Sequence, residues 1–250
     1  MIALILPLLF SLLLPLGLLL WWKRKSGAKL SAFFVGAFCF FLFAMVLEGI
    51  LHSVVLSANS PILANPLLYM LYTAFAAGIF EETGRYCGFR FLLKKQKSKE
   101  SSVAYGIGHG GIEVILILGS NYLLLLLCKI GVSVADEATM ATLMESAEAI
   151  TLPLALVAML ERFSAVMAHI GLSMLVFTAV WQKGKKARYP LAIVLHALLD
   201  APAALYQMGY LQSLFVVELS AFVLGAAYLY MGIRAYRRYE GPAEEECPTM

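Results

Sequence analysis

The chain has 250 residues, 61% hydrophobic and only 14% charged, with a formal net charge of +3. Soluble domains are about half apolar and about a quarter charged, so this composition excludes an ordinary soluble enzyme and fits a polytopic membrane protein. The charged stretches are loops too short to fold alone, which excludes a second soluble domain.

Apolar runs of about 20 residues, enough for a helix to cross a bilayer, predict seven spans. The first covers Ile2 to Trp22, with Trp21 and Trp22 at the interface. It lacks a basic leader and a clear cleavage site, so it reads as a retained helix. The second covers Leu30 to Leu56, and Ser57 to Pro66 is an uncharged loop. The third runs to Leu93 and carries Glu81, Glu82 and Arg85. Lys94 to Glu100 is a charged loop, and the fourth span covers Ser102 to Leu127. Lys129 to Glu148 reads as an acidic loop. The fifth, sixth and seventh spans cover Ile150 to Trp181, Pro190 to Met208 and Leu211 to Ile233. The expected fold is therefore an all-α membrane bundle over residues 1–235. Residues 236–250 form a polar tail, expected to be disordered. The four cysteines show no metal-ligand spacing and predict no disulfide framework.

Lysine and arginine concentrate at Lys23 to Lys29, Lys94 to Lys99, Lys183 to Arg188 and Arg234 to Arg238. These clusters follow alternate spans. The positive-inside rule explains them better than nucleic-acid binding, and it places the N-terminus outside and the C-terminus in the cytoplasm.

Four spans carry ionisable groups, which at membrane depth are functional-site candidates by default. Counted from the basic side at 1.5 Å per residue, Glu81 lies about 19 Å deep, His109 and Glu113 about 12 and 18 Å, His169 about 18 Å, and His196 and Asp200 about 9 and 15 Å. Independent structural polar residues would have no reason to share one layer. A water-filled cavity is expected to open from this layer to the basic, cytoplasmic side.

Glu81 and Arg85 are four apart and can pair on one helix face. Adjacent carboxylates in a poor dielectric resist double ionisation, and one poised in this way suits a general base on water. A structural ion pair locking two helices is the blander reading. His109 and Glu113 share a face within Gly106-Ile107-Gly108-His109-Gly110-Gly111, whose glycines allow a tight helix crossing. Arg162 lies two turns before His169, with Ser173 one turn after it. His196 and Asp200 again share a face and can point at a reacting carbonyl or a metal, or simply pair; two histidines with carboxylates can bind zinc in an open site, although no His-Glu-x-x-His is present. Glu48, His52 and Glu161 lie nearer the outer face and read as a separate structural cluster; Glu218 has no sequence partner.

In this order, Glu81-Glu82-x-x-Arg85, His169 and His196-x-x-x-Asp200 resemble the glutamate-type intramembrane proteases, the CAAX prenyl endopeptidases and the PrsW proteins. With Gly-His-Gly-Gly-Ile-Glu and Glu-Arg…His, the set is most similar to the YhfC family of membrane peptidases. The resemblance implies that Glu81, or Glu82, and His169 activate a water, that His196 and Asp200 face the oxyanion, and that Arg85 orients the glutamates. His109, Glu113 and Arg162 would support them. Asp200 stands where some members carry Asn, which puts its role, though not its place, in question. A metal-free mechanism is favoured, with zinc at His169 and His196 as the alternative. The implied substrate is a membrane or lipidated protein of a bacterial plasma membrane, cut within or beside the bilayer. Two other readings are a non-catalytic scaffold, as in a subunit of gamma-secretase, and a proton-coupled transporter. The Glu-Glu pair disfavours the first, and the lack of an internal repeat disfavours the second.

Overall fold

The computed structural model describes residues 1–57 and 60–241. Among these, every regular element is a helix. α1 (Ile2–Ser26) ends where Gly27 turns into the left-handed region, its N–H bonded to the Lys23 carbonyl. α2 (Leu30–Val55) contains a wide π segment, Phe41–Glu48. α3 (Pro61–Ala64) is a single turn. α4 (Pro66–Cys87) starts under the Asn65 side chain, which accepts from the Leu67 and Leu68 N–H groups, and continues as a π turn through Leu92. α5 spans Glu100–Lys129 and α6 Glu137–Ala149. α7 (Leu152–Trp181), α8 (Arg188–Gln207) and α9 (Leu214–Arg237) complete the bundle.

Six of these helices, α1, α2, α5, α7, α8 and α9, are long and apolar enough to cross a membrane. α4 has the length, but the carboxylates and arginine in its last third dilute its apolar character and it falls outside the six.

α7 is the axis of the bundle. It packs along α9 and across α5, while α5 also packs on α2 and α4 pairs with α8. Close crossings rest on missing side chains. A Cβ at Gly106 would lie 2.7 Å from the Ile170 Cα, and one at Gly171 would lie 2.3 Å from the Tyr228 carbonyl oxygen. Small residues let membrane helices approach this closely.

The basic ends of the helices gather at one end of the molecule. The Trp22 indole donates to the Glu100 carbonyl, the Tyr239 hydroxyl donates to the Lys97 carbonyl, and the Gln182 amide donates to the Arg238 carbonyl. Above this end the core is a dense cluster that includes Phe89, Tyr105, Leu172 and Phe177.

Two expectations change. The acidic segment is not simply a loop, because it contains α6. The Asp136 carboxylate accepts from the Thr139 N–H at 3.1 Å and the Thr139 hydroxyl at 2.7 Å, which caps the helix. Leu143 and Ala147 of α6 then pack beside Leu4, Tyr122 and Leu125. The tail boundary also shifts. Tyr236 donates to Glu100 Oε1, and the Tyr239 ring lies 5.2 Å from Phe177, so the packed chain continues through Tyr239. The acidic run Glu244 to Glu246 lies outside the described residues.

Candidate active site

The Glu81-Glu82 pair sits on α4 where that helix faces α8. A Cβ at Gly78 would lie 2.7 Å from the Ile193 carbonyl oxygen, so the two helices nearly touch one turn before the pair. That proximity brings His196 of α8 to both glutamates. His196 Nδ1 lies 2.8 Å from Glu82 Oε1, and Nε2 lies 3.7 Å from Glu81 Oε1. Asp200 Oδ2 is 3.5 Å from the same Nε2, and its side chain is 37% exposed where the others are buried.

The other carboxylate oxygen of Glu81 turns to the opposite wall. Glu81 Oε2 lies 2.9 Å from His109 Nε2 on α5 and 3.9 Å from His169 Nδ1 on α7. Among the described residues, Glu81, His109 and His169 form a buried group whose ligand atoms lie within 4.8 Å of one another.

Arg85, fully buried, fixes the tautomers. Its Nη2 lies 3.2 Å from His109 Nε2 and 3.1 Å from His169 Nδ1. Arginine only donates, so both ring nitrogens are unprotonated and each spends its single lone pair on Arg85, the lone pair that a metal would take in its place. His169 then carries its proton on Nε2 and donates to Glu113, which Arg162 holds at 2.7 Å. Arg85 Nη1 also donates to the His169 carbonyl at 2.8 Å and to the Ser173 hydroxyl at 2.9 Å. The T-shaped Phe40 ring, 5.2 Å away, flanks His109, whose buried Nδ1 has no hydrogen-bond partner.

Two expected placements are corrected. Arg85 pairs with Glu82, its Nε 3.2 Å from Oε2, and not with Glu81. Positions three apart share a helix face as well as positions four apart do, and Glu81 is taken by His109. Glu161 does not join Glu48 and His52. It pairs with Arg162 and lines the site, while Glu48 bonds to His52 and His52 to Tyr72. The adjacency of Glu161 to Arg162 was the available signal. Ser173 was noted in sequence, but its hold on Arg85 was not.

The cavity also runs in an unexpected direction. It measures about 100 Å³ and is lined by Glu81, His169 and His196 at one end and by Arg162, Ala203 and Val217 at the other. Counted from the basic end, Arg162 and Val217 lie roughly 28 to 30 Å away against about 18 Å for His169. The opening therefore leads away from the basic end. The aromatic cluster around Phe89, Tyr105 and Phe177 fills the half through which access was expected.

The donor set fits a metal. A carboxylate oxygen and two unprotonated imidazole nitrogens are the ligand types of open zinc sites. Tetrahedral ligands about 2.1 Å from zinc stand roughly 3.4 Å apart, and the 2.9 and 3.9 Å separations bracket that value. The Glu113 carboxylate behind His169 is the partner that a ligating histidine needs to hold its tautomer. The pair named for the zinc alternative to a metal-free site, His169 and His196, is less suited. His196 Nδ1 is engaged by Glu82, and its Nε2 faces Glu81 Oε1 and Asp200.

A family model described as YhfC intramembrane metalloprotease matches residues 10–221. The chain is 37% identical over 247 residues to the uncharacterized membrane protein YhfC of Bacillus subtilis (strain 168), covering 92% of this chain and 94% of that one. No solved structure matches.

Proposed function

The chain belongs to the YhfC intramembrane metalloprotease family and has several helices that can cross a membrane, and on that premise we propose that it hydrolyses a peptide bond in a membrane-embedded or membrane-proximal protein. The observation that carries this reading is the meeting of lone pairs at Glu81. Oε2 and the unprotonated His109 Nε2 stand 2.9 Å apart, and Arg85 donates to the lone pair that a metal would take in its place. Two acceptors so close and so buried need a proton or a metal cation between them.

Glu81, His109 and His169 would hold the metal, which when bound polarises a carbonyl and makes a water acidic near neutral pH. The rest falls to the side chains. Glu81 offers its second oxygen, Oε1, to the cavity and takes the proton of the attacking water. The water oxygen bonds to the scissile carbonyl carbon, and the carbonyl oxygen becomes negative. With a proton on each ring nitrogen, His196 would donate Nε2–H to that oxygen. The C–N bond then breaks, and the proton held by Glu81 passes to the leaving amine. Glu82 holds His196 through Nδ1 at 2.8 Å. Asp200 orients the same ring and does not touch the oxyanion, which an ionised carboxylate would oppose. Glu113 and Arg162 position His169, and Arg85 positions both histidines and Glu82. We count α4 as a seventh crossing, with the N-terminus outside.

Metal analysis and cleavage together test this. Purified wild type is expected to hold about one metal ion per chain, and His109→Ala to lose it. Glu81→Gln removes a metal ligand as well as the base, and should slow cleavage of proteins in bacterial membrane vesicles by at least roughly 10²- to 10⁴-fold, the usual cost of losing a general base. Full activity in a chelated, metal-free protein would overturn the metal assignment. Wild-type cleavage by Glu81→Gln would overturn the whole mechanism.

A further inference from the structure

A second cavity, apart from the histidines, runs from the basic end of the bundle as far as Phe163. It measures about 480 Å³ and runs between α1, α5, α7 and α9. Its walls are apolar stripes at helical spacing. Met167, Ile170 and Met174 line the α7 side, and Leu229 and Ile233 line the α9 side. Met167 to Met174 spans about 10 Å along the helix axis, so the crevice suits a chain lying along the membrane normal.

Its mouth has a different chemistry. Lys25 ends the α1 wall and Arg237 ends the α9 wall, both exposed. Lys25 Nζ rests 4.9 Å from the Trp21 ring centroid, and Lys99 lies over the Tyr236 ring at 5.0 Å. Among the described residues, neither Lys25 nor Arg237 has a carboxylate partner within 4.0 Å, and the Glu100 carboxylate accepts from the Tyr236 hydroxyl. The rim is rigid as well. Trp22 is buried, bonded through its indole to the Glu100 carbonyl and packed edge-on to Tyr236. Indole and phenol rings prefer the depth at which lipid headgroups lie.

We propose that this crevice binds one anionic phospholipid, an acyl chain lying along α7 and α9 and the phosphate held between Lys25 and Arg237. Charge complementarity selects this occupant. A zwitterionic lipid would fill the apolar walls equally well but would bring its own ammonium to a mouth that is already cationic. Basic pockets between membrane helices are where acidic headgroups bind. The site shares no residue with the candidate active site, so the proposal stands whether or not the chain is a protease.

Native mass spectrometry of the delipidated full chain, titrated with phosphatidylglycerol and with phosphatidylcholine of the same acyl chains, tests the proposal. The first phosphatidylglycerol is expected to bind about thirtyfold more tightly, the effect of two basic side chains near a membrane surface. The Lys25→Gln/Arg237→Gln double variant should bring the two lipids to near equality. A Lys183→Gln/Lys186→Gln control, in a basic loop outside the crevice, should keep the preference. Wild-type binding without preference, or a preference that survives the Lys25/Arg237 change, would overturn the proposal. A wild-type experiment needs no variant to fold. Phosphatidylglycerol carrying a diazirine in its acyl chain should crosslink to Met167, Leu229 and their neighbours. Crosslinks spread evenly over the outer faces of α2, α4 and α8 would contradict a defined site.

Discussion

His169 is held from three sides, and each contact makes a different demand on the chain. Arg85 donates to Nδ1, where a metal would replace it, Glu113 takes the proton of Nε2, and the backbone carbonyl of His169 accepts from Arg85 again. Glu113→Gln keeps the shape but weakens acceptance from Nε2–H. Removing such a partner typically costs about 10- to 100-fold in metal affinity or activity, and isothermal metal titration of the variant should show a loss in that range. Arg162→Ala acts differently. It leaves Glu113 buried without its cation, a change on the order of 3–5 kcal/mol, and the variant should melt markedly below wild type in detergent. Rescue of that stability by the Arg162→Ala/Glu113→Gln double variant would identify the stranded charge as the cause. Which residues are polar and how deep they lie was legible in the sequence, because membrane burial makes each such group conspicuous. Which acid takes which base was not. Glu81 and Glu82 are neighbours with equal sequence claims on Arg85, and the choice follows from the rotation of α4 against α5 and α8, which no local spacing encodes.

At the scale of elements, the glycines divide into those that make crossings and those that do not. Gly171 meets the Tyr228 backbone at 2.3 Å for a built Cβ, whereas Gly49 on α2 meets nothing within 4 Å. Gly171→Ala should push α7 from α9 and lower the melting temperature. Gly49→Ala should be neutral or stabilising by up to about 1 kcal/mol, the helix propensity difference. Equal effects at the two positions, read by differential scanning fluorimetry in detergent, would show that the α7–α9 approach is looser than described. The glycines of α5 were legible as crossing residues, since Gly106 and Gly110 flank His109 at four-residue spacing. Helix α6 was not. Its acids suggested a loop, and its Leu143 and Ala147 contacts depend on α1 and α5 arriving beside it.

For the whole molecule, the alternation of basic and uncharged connections predicts seven crossings with the C-terminus in the cytoplasm. A reporter fused after Arg238 should be active only in its cytoplasmic form; activity only in the exported form would reverse the orientation. The direction of access is the part that the sequence misled on. Depth along each helix gave one polar layer correctly as a layer, but the side from which it opens depends on what fills either half. Phe89, Tyr105 and Phe177 close the basic half, and the exposed side chain of Asp200 marks the other way out. Single cysteines at Ala203 and Val217, in a background cleared of native cysteines, should therefore label with impermeant thiol reagents from the outer face. Protection there, with labelling only from the cytoplasm, would mean that the cavity opens as first expected and that the aromatic plug is not closed in the membrane.

The central claim is that Glu81 activates a water for attack on a peptide bond, and the oxygen of that water can be followed. Bacterial membrane vesicles containing wild type or Glu81→Gln are incubated in ¹⁸O-water, and new peptide C-termini are mapped by mass spectrometry. The wild type should generate C-termini carrying a single ¹⁸O within or beside membrane segments, and Glu81→Gln should generate them at no more than about a hundredth of that rate. The same labelled termini from both proteins at equal rates, or none from either, would contradict the account.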